Sequence, residues 1–374
     1  MDSAKRDREG DVATAGGETN KVARLSSGKE PLIFYLHNVN GLKSHRDGLQ
    51  EAADNHSASV LMVTETFVKG VETNPSLPSG HRDDVSSIRP FKGFSDPMWS
   101  CNTKKRAGGV MMVSRIGTER PSYTVYSLSA AAHKEGLTIS SPPFKNGESS
   151  VLNGGHTVEG RVMFSRYPNF LLGLLYWPNS GILTKAMQKD VTKMENAKKK
   201  ILFRQEMDTL LIEFALQCKI KKIPLLLLGD INVAASKEDV SHPDDWPGIF
   251  SAGFSKPEQL RFEMLLKKGD LVDAWREHHP TPSALDEAYR KGPNYSWRGN
   301  GRVNDQYAMR LDYCLCSRDL LPRIKSVTLT GTHDDRGSFL GSDHCPLVVT
   351  LHPSDAVPPA SLSSSSSSSD AAKA

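Results

Sequence analysis

The 374-residue chain contains no long hydrophobic run. Its longest aliphatic stretch, Leu225–Leu228, falls far short of the ~18 apolar residues a membrane helix requires, so no membrane association is expected. Cysteine is scarce and unpaired in pattern: five residues, Cys101, Cys218, Cys314, Cys316 and Cys345, an odd number with no CxxC spacing. A disulfide framework and a cysteine-based zinc site are therefore not expected, and the thiols read as buried groups in a reducing compartment. Charge of one sign is also lacking. Forty-seven basic residues face 43 acidic ones, for a net charge of +4 and a pI near 8.6, which a polyanionic partner tolerates but which does not demand one. Residues 1–30 have no apolar core, and their basic and acidic residues balance. Neither a secretory signal nor a transit peptide is expected there.

What remains is an ordinary globular composition, 38% hydrophobic and 24% charged. Residues 1–30 are polar and without periodicity, and read as a disordered tail. Residues 354–374 contain Pro358-Pro359 and an unbroken Ser363–Ser369 run, a second tail that cannot bury enough apolar surface to fold. Between them, 31–353 shows no linker and no internal repeat, so one domain is expected.

Short apolar runs bounded by turn residues recur through this core: Leu32–Leu36, Val60–Val63, Val110–Val113, Val162–Phe164, Phe170–Tyr176, Leu225–Leu228, Leu311–Cys316 and Leu347–Leu351. Such runs predict buried strands. Helices are predicted where Met207, Leu210, Leu211 and Phe214 share one face, and where Leu260, Met264 and Leu265 recur before a stop at Gly269. Strands with interspersed helices predict an α/β layered sandwich. Residues 116–158, rich in Ser, Pro and Gly, read as a long surface insertion. Lys185–Lys200 reads as the solvated face of a helix, with a phosphate-tracking patch as the alternative.

Polar residues stand at the ends of the apolar runs. His37-Asn38-Val39-Asn40 follows the first, Thr64-Glu65-Thr66 the second, and Gly229-Asp230-Ile231-Asn232 the leucine run. Ser342-Asp343-His344 precedes the last, and Asp312 interrupts an otherwise apolar stretch. A rigid sheet presents chemistry at its strand ends. A buried carboxylate costs several kcal/mol unless paired or metal-bound. Any one of these acids could be a turn former. Together, Glu65, Asp230, Asp312 and Asp343 with Asn38, Asn232 and His344 offer hard oxygen ligands for Mg2+ or Mn2+, a base and a cationic imidazole.

These segments resemble the endonuclease/exonuclease/phosphatase superfamily, and within it the exonuclease III-like apurinic/apyrimidinic (AP) endonucleases. The resemblance runs through Asn38-Val39-Asn40-Gly41-Leu42, Thr64-Glu65-Thr66, Gly108-Gly109-Val110, Glu159-Gly160-Arg161-Val162, Tyr176-Trp177-Pro178-Asn179, Gly229-Asp230-Ile231-Asn232, Arg310-Leu311-Asp312-Tyr313 and Gly341-Ser342-Asp343-His344-Cys345-Pro346. Met98-Trp99-Ser100, Ala252-Gly253-Phe254-Ser255 and Leu271–Arg276 narrow it toward AP endonucleases.

The resemblance implies a four-layered α/β sandwich of two facing mixed sheets with outer helices, and Mg2+-dependent phosphodiester hydrolysis with Mn2+ as the alternative ion. It implies Glu65 as principal metal ligand, with Asn38, Asn40, Asp230, Asn232, Asp343 and His344 around the metal. Asp230 would activate water, Asn232 would hold the phosphate or that water, Tyr176 and Asn179 would contact the phosphate, and His344, steadied by Asp312, would donate to a phosphate oxygen. Asn179, Arg161 and Trp297 would contact substrate. It further implies a monomer acting on duplex DNA, abasic or nicked, in the nucleus or another reducing compartment. The chain departs from the family in carrying Phe67 where Lys is common and Met309 where many AP endonucleases have Trp. These departures keep open a nuclease of other preference: retroelement-type, 3′-phosphodiesterase or RNase. A catalytically silent binding protein on the same fold is disfavoured by the intact set of polar residues.

Overall fold

The computed structural model describes residues 30–68, 85, 87–101, 108–139, 160–181, 190–245, 252–280, 290–299 and 307–353. In chain order its elements are β1 (Leu32–Asn38), α1 (Leu42–Asn55), β2 (Val60–Thr64), β3 (Met98–Ser100), β4 (Val110–Ser114), β5 (Tyr123–Val125), α2 (Leu128–Lys134), β6 (Val162–Tyr167), β7 (Phe170–Tyr176), α3 (Val191–Ile220) and β8 (Leu225–Asp230). There follow α4 (Lys256–Gly269), β9 (Leu271–Asp273), α5 (Ala274–His278), β10 (Trp297–Arg298), β11 (Ala308–Met309), β12 (Asp312–Ser317), β13 (Ile324–Leu329) and β14 (Leu347–Leu351).

Two six-stranded sheets result, ordered β13-β14-β1-β2-β4-β3 and β5-β6-β7-β8-β12-β9. Each holds one parallel pair at its centre, β1 with β2 and β7 with β8, and is otherwise antiparallel. The alternation of side chains along a strand explains why the strands are apolar throughout. In β8, Leu226 and Leu228 join Phe34, Leu36, Met62 and Leu172 between the sheets. Leu225 and Leu227 face the other way, against Met207 and Phe214 of α3. On the outside of the first sheet, Leu61 and Val63 pack with Leu42 and Leu49 of α1. Helix, sheet, sheet and helix make the four layers of an α/β sandwich.

Registers bring the polar strand ends to one edge. Asn38 sits opposite Thr64 across the parallel β1–β2 pair, and Tyr176 opposite Asp230 across β7–β8. Asp312 opposes Asp230 on the other side of β8. Leu36 pairs with Leu347, so the Ser342–Cys345 turn arrives at the same edge. Gly229 is needed here, because a Cβ would stand 2.0 Å from the Leu175 carbonyl oxygen.

Several expectations are corrected. Residues 116–139 are not a surface excursion: β5 extends the second sheet, and Leu128, Ala131 and Ala132 of α2 are buried against it. The remainder of that stretch, 140–158, lies outside the described residues, as do the two tails except Glu30. In α4 the buried face is Glu258, Phe262 and Leu265, while Leu260 and Met264 are exposed. The Ser255–Glu258 capping box and Pro257 start that helix, and α4 turns its polar Glu258 inward because Ser180 and Ser255 hydrogen-bond it. Of the basic run, 185–189 lies outside the described residues. All five cysteines are buried and free of disulfides.

Behind the polar edge lies a buried ion cluster. Arg310 bonds Asp239 at 2.7 Å and Asp273 at 2.6 Å, and Arg276 reaches Asp239 at 2.6 Å. Burial of Asp239 opposes its charge, but Arg310 and Arg276 outweigh burial and hold the carboxyl below its usual range. Protons therefore favour the unfolded chain. The stability this pair contributes is present above pH ~4 and is lost as pH falls through the depressed value. Asp239→Asn should lower unfolding stability by ~1–3 kcal/mol, because the half-buried Arg276 loses this carboxylate and the buried Arg310 is left with Asp273. It should also flatten the acid limb of stability against pH, both measurable by denaturant titration from pH 3 to 8.

Candidate active site

Asn38 ends β1 fully buried and reaches across to the other sheet. Its Nδ2 donates to Asp230 Oδ2 at 3.0 Å and stands 3.5 Å from His344 Nε2, while its Oδ1 accepts the Asn40 backbone N–H at 3.2 Å. Asp230 is buried and collects two further donors, the Asn232 backbone N–H at 2.8 Å and Asn232 Nδ2 at 3.1 Å. Burial, then the Asp312 and Glu65 carboxylates, push its pKa well above the usual carboxylate range, against the pull of His344 and the Asn232 N–H. A carboxyl so disposed holds its proton more tightly than an ordinary one, and in its ionised form is the stronger base.

Asn232 also donates from Nδ2 to the Trp177 carbonyl at 2.9 Å and stands 3.5 Å from Asn179 Nδ2. The buried Arg204 supports this turn from behind, donating to the carbonyls of Pro178 and Asn232 and pairing with Asp208 at 2.9 Å.

His344 Nδ1 meets Asp312 Oδ2 at 2.7 Å. Burial alone would lower the imidazole's pKa; the adjacent Asp312 carboxylate outweighs it and raises the value to about 10. The backbone of His344 is held on both sides. Its N–H donates to Ser342 Oγ, which itself donates to the Asn38 carbonyl, and its carbonyl accepts His37 Nε2–H at 2.9 Å. His37, fully buried, is pushed the other way, to about 4, by burial first of all. Asp312 is fixed by Ser296, whose Oγ accepts both the Leu311 and Asp312 N–H groups at 2.9 Å.

Glu65 follows β2 and is half-buried. The Tyr176 hydroxyl donates to its carboxylate, and burial with that contact raises the phenol's pKa. Arg161, whose guanidinium lies 5.2 Å from the Tyr176 ring and 5.5 Å from Phe203, adds positive charge beside Glu65. Asp343 accepts Trp297 Nε1–H at 3.0 Å, and Trp297 pairs with the His344 backbone.

All twelve site residues named from the sequence thus stand at one edge. Asn38, Asp230, Asn232, Asn179, Asp312 and His344 are linked side chain to side chain; Glu65, Tyr176 and Arg161 form a second group; Asn40, Trp297 and Asp343 border them. Of the sequence segments, Glu159 lies outside the described residues. Sequence reasoning missed the supporting roles of His37, Ser296 and Arg204. Only Arg204 carried a signal, its four-residue spacing from Asp208.

The donors suit a hard cation. Glu65, Asp230 and Asp343 supply carboxylate oxygens, Asn38 and Asn232 amide oxygens. Asp312 Oδ1 is buried with no hydrogen-bond partner among the described residues, and Asp230 is raised by burial first and then by the nearby Asp312 and Glu65 carboxylates, so acidic groups crowd this edge. Among the described residues, no three His, Cys, Asp or Glu side chains are grouped to hold a metal ion by themselves.

An α/β sandwich with an Asp–His pair, an activated carboxylate and hard oxygen donors at one edge belongs to the phosphoesterase class. The chain belongs to the endonuclease/exonuclease/phosphatase family, whose model matches residues 36–344. It is similar to a DNA-(apurinic or apyrimidinic site) endonuclease of Arabidopsis thaliana, 27% identical over 368 residues, 90% of this chain and 89% of that protein. A Plasmodium berghei protein of the same description is 30% identical over 213 residues, with the match spanning 52% of this chain and 37% of that protein. Among solved structures, a Leishmania major AP endonuclease superposes with TM-score 0.59 at 18% identity, covering 86% of this chain and 88% of that one. A Neisseria meningitidis 3′-5′ exonuclease gives 0.58 at 20% identity, covering 86% and 99%.

Two substitutions test the geometry. Asp230→Asn keeps the shape but cannot take a proton, so turnover should fall ~10²–10⁴-fold with substrate affinity nearly intact, as measured by single-turnover cleavage beside equilibrium binding. Asp312→Asn removes the negative charge that raises His344. Its imidazole should then lose its proton at lower pH, moving the alkaline limb of the pH–rate profile down from about 10.

Proposed function

We propose that the protein is a DNA-repair nuclease that hydrolyses phosphodiester bonds, acting as an AP endonuclease with accompanying 3′-5′ exonuclease or 3′-phosphodiesterase activity. One observation carries the reading: a proton-accepting Asp230 and a proton-bearing His344 flank the same Asn38 amide, at 3.0 and 3.5 Å. An in-line displacement at phosphorus needs such groups facing one centre, to deprotonate water and to stabilise charge on the equatorial oxygens. The name of a relative matched along nearly the whole chain supports DNA as the substrate.

Asp230 would take the proton of the attacking water, which Asn232 and Asn179 orient. His344, positioned by Asp312, would donate from Nε2 to a non-bridging phosphate oxygen. Tyr176 and Arg161 would keep the Glu65 carboxylate in place. Mg2+, with Mn2+ as the alternative, would be held by Glu65 and Asn38 with the neighbouring oxygens. When bound it supplies Lewis-acid stabilisation of the phosphate.

A second reading, a nuclease without abasic preference, is favoured by the substrate-facing border. Met309 is buried in the short β10–β11 ribbon beside Trp297, so that wall is less aromatic than the resemblance implies.

An incision assay separates the two. Duplexes carrying an abasic analogue, plain duplexes, duplexes with a 3′-blocked nick and single-stranded RNA would be compared in Mg2+, in Mn2+ and in EDTA. Cleavage beside the abasic analogue, absent in EDTA and restored by Mg2+, is expected. Equal cleavage of the plain duplex would support the second reading, and full activity in EDTA would overturn the metal assignment.

A further inference from the structure

Among the described residues, eight that are not glycine adopt positive φ: Asn40, Ser57, Glu65, Phe67, Lys222, Asn232, Asp270 and Leu340. Four of them have an ordinary explanation. Ser57, Lys222 and Asp270 close α1, α3 and α4, and Leu340 closes the short 3-10 turn Gly337–Phe339, positions where the chain commonly turns left-handed. The other four crowd the active edge. Asn40, Glu65 and Asn232 are polar and belong to the site. Phe67, at φ +50°, is a bulky aromatic with no polar group to present.

A left-handed phenylalanine costs on the order of 1–3 kcal/mol and persists only where its surroundings fix it. The surroundings do so. The Phe67 N–H donates to the Gly108 carbonyl at 2.9 Å and the Thr66 N–H to Gly109 at 3.1 Å, while Glu65 and Thr66 accept from Gly41 and Leu42 at 2.8 and 2.9 Å. The segment is clamped between two loops, both glycine-rich. Gly109 is required on one side, since a Cβ there would stand 2.1 Å from Thr66 Oγ1. On the other, the Phe67 ring lies 3.7 Å from where Gly41 would carry a Cβ, beside the exposed Asn40. The ring is half-buried, and among the described residues no aromatic side chain stacks on it. Two residues from Glu65, this backbone holds a partly exposed phenyl ring at the rim of the site.

We propose that Phe67 is a stacking platform for a nucleobase of the DNA, flanking the phosphodiester that is cut. It would supply substrate affinity through ring contact, where most DNA contacts use charge. The inference rests on the nuclease reading above.

The test uses the full chain with Phe67→Asn, Phe67→Leu and Phe67→Trp. Asparagine accepts the left-handed backbone, so Phe67→Asn removes the ring without backbone cost. Leucine keeps the apolar bulk but not the flat face. KM for a cleavable duplex should rise about 5- to 100-fold in Phe67→Asn and Phe67→Leu, the range of base–aromatic stacking, with the loss falling on KM rather than kcat. Phe67→Trp should retain wild-type KM. The slope of log affinity against log salt should stay constant, because no charge is lost. Replacing each intact base next to the cut, in turn, by a saturated cyclohexyl surrogate, which keeps the bulk but not the flat face, should cost the wild type the same factor at one position and cost Phe67→Asn nothing there. Thermal melting checks that each variant folds. Unchanged KM in Phe67→Asn, a fall confined to kcat with a raised metal requirement, or a wild type indifferent to both flanking bases would overturn the platform. The last measurement needs no variant. Absence of DNA cleavage by the wild type itself would instead overturn the nuclease reading.

Discussion

The hydrogen bond from Asn38 to Asp230 is the contact on which the site depends. It joins residues 192 positions apart, one from each sheet, at 3.0 Å inside the sandwich. A buried polar group tolerates little error in such a bond, because an unmade one costs the full desolvation of its members. The spacing and register of the two sheets are therefore fixed at this edge more tightly than apolar packing alone would fix them. The rest follows from that anchor. Asp312 is aligned because β12 pairs with β8, and His344 because the Ser342 hydroxyl bonds the Asn38 carbonyl.

Electrostatics sorts otherwise similar side chains into different tasks. His37 and His344 lie next to each other, joined through the His344 carbonyl, and burial disfavours charge on both. Only His344 has a carboxylate against its ring. The first therefore stays neutral and serves as a donor holding the backbone; the second carries a proton across neutral pH. The acids divide in the same way. Burial raises both Asp239 and Asp230; two arginines outweigh it at Asp239 and hold that carboxyl down as a structural anion, while Asp312 and Glu65 add to it at Asp230. The acidic groups around Asp230 make the edge a site for a cation, as Asp239 with its arginine partners is not.

Much of this was legible because burial and polarity disagree visibly in the sequence. Each central strand is an apolar run, and the acids and amides at the run ends have no reason to be there unless the sheet presents them together. Elements without that contrast were not legible. β13 reads Ile-Lys-Ser-Val-Thr-Leu, and as an edge strand it buries only Ile324, Val327 and Leu329, with a register shift between Ile324 and Ser326 that breaks the alternation. β3, β5 and β9 are three-residue edge or near-edge strands, too short for a pattern. Leu260 and Met264 looked like a helix's core face, yet the inward position went to Glu258, held by two serine hydroxyls that no local pattern announces. His37 was invisible for a related reason: a histidine at the end of a strand does not reveal whether a carboxylate will stand beside it.

The positive-φ residues show how the same physics allocates strain. Left-handed turns that close helices satisfy carbonyls the helix leaves open, and their cost is offset locally. At the active edge the partners differ from residue to residue. Asn40 and Asn232 are held within their own turns, by the side chains of Asn38 and Asp230 two residues back. The Glu65–Phe67 stretch is held from outside, by Gly41 and Leu42 after β1 and by Gly108 and Gly109 before β4, strands of the same sheet as β2. The left-handed residues gather at this edge because Asn38 and Asp230, which hold two of them, also meet each other across the sheets, and because the loops that clamp the other two leave the neighbouring strands of the first sheet at that same edge.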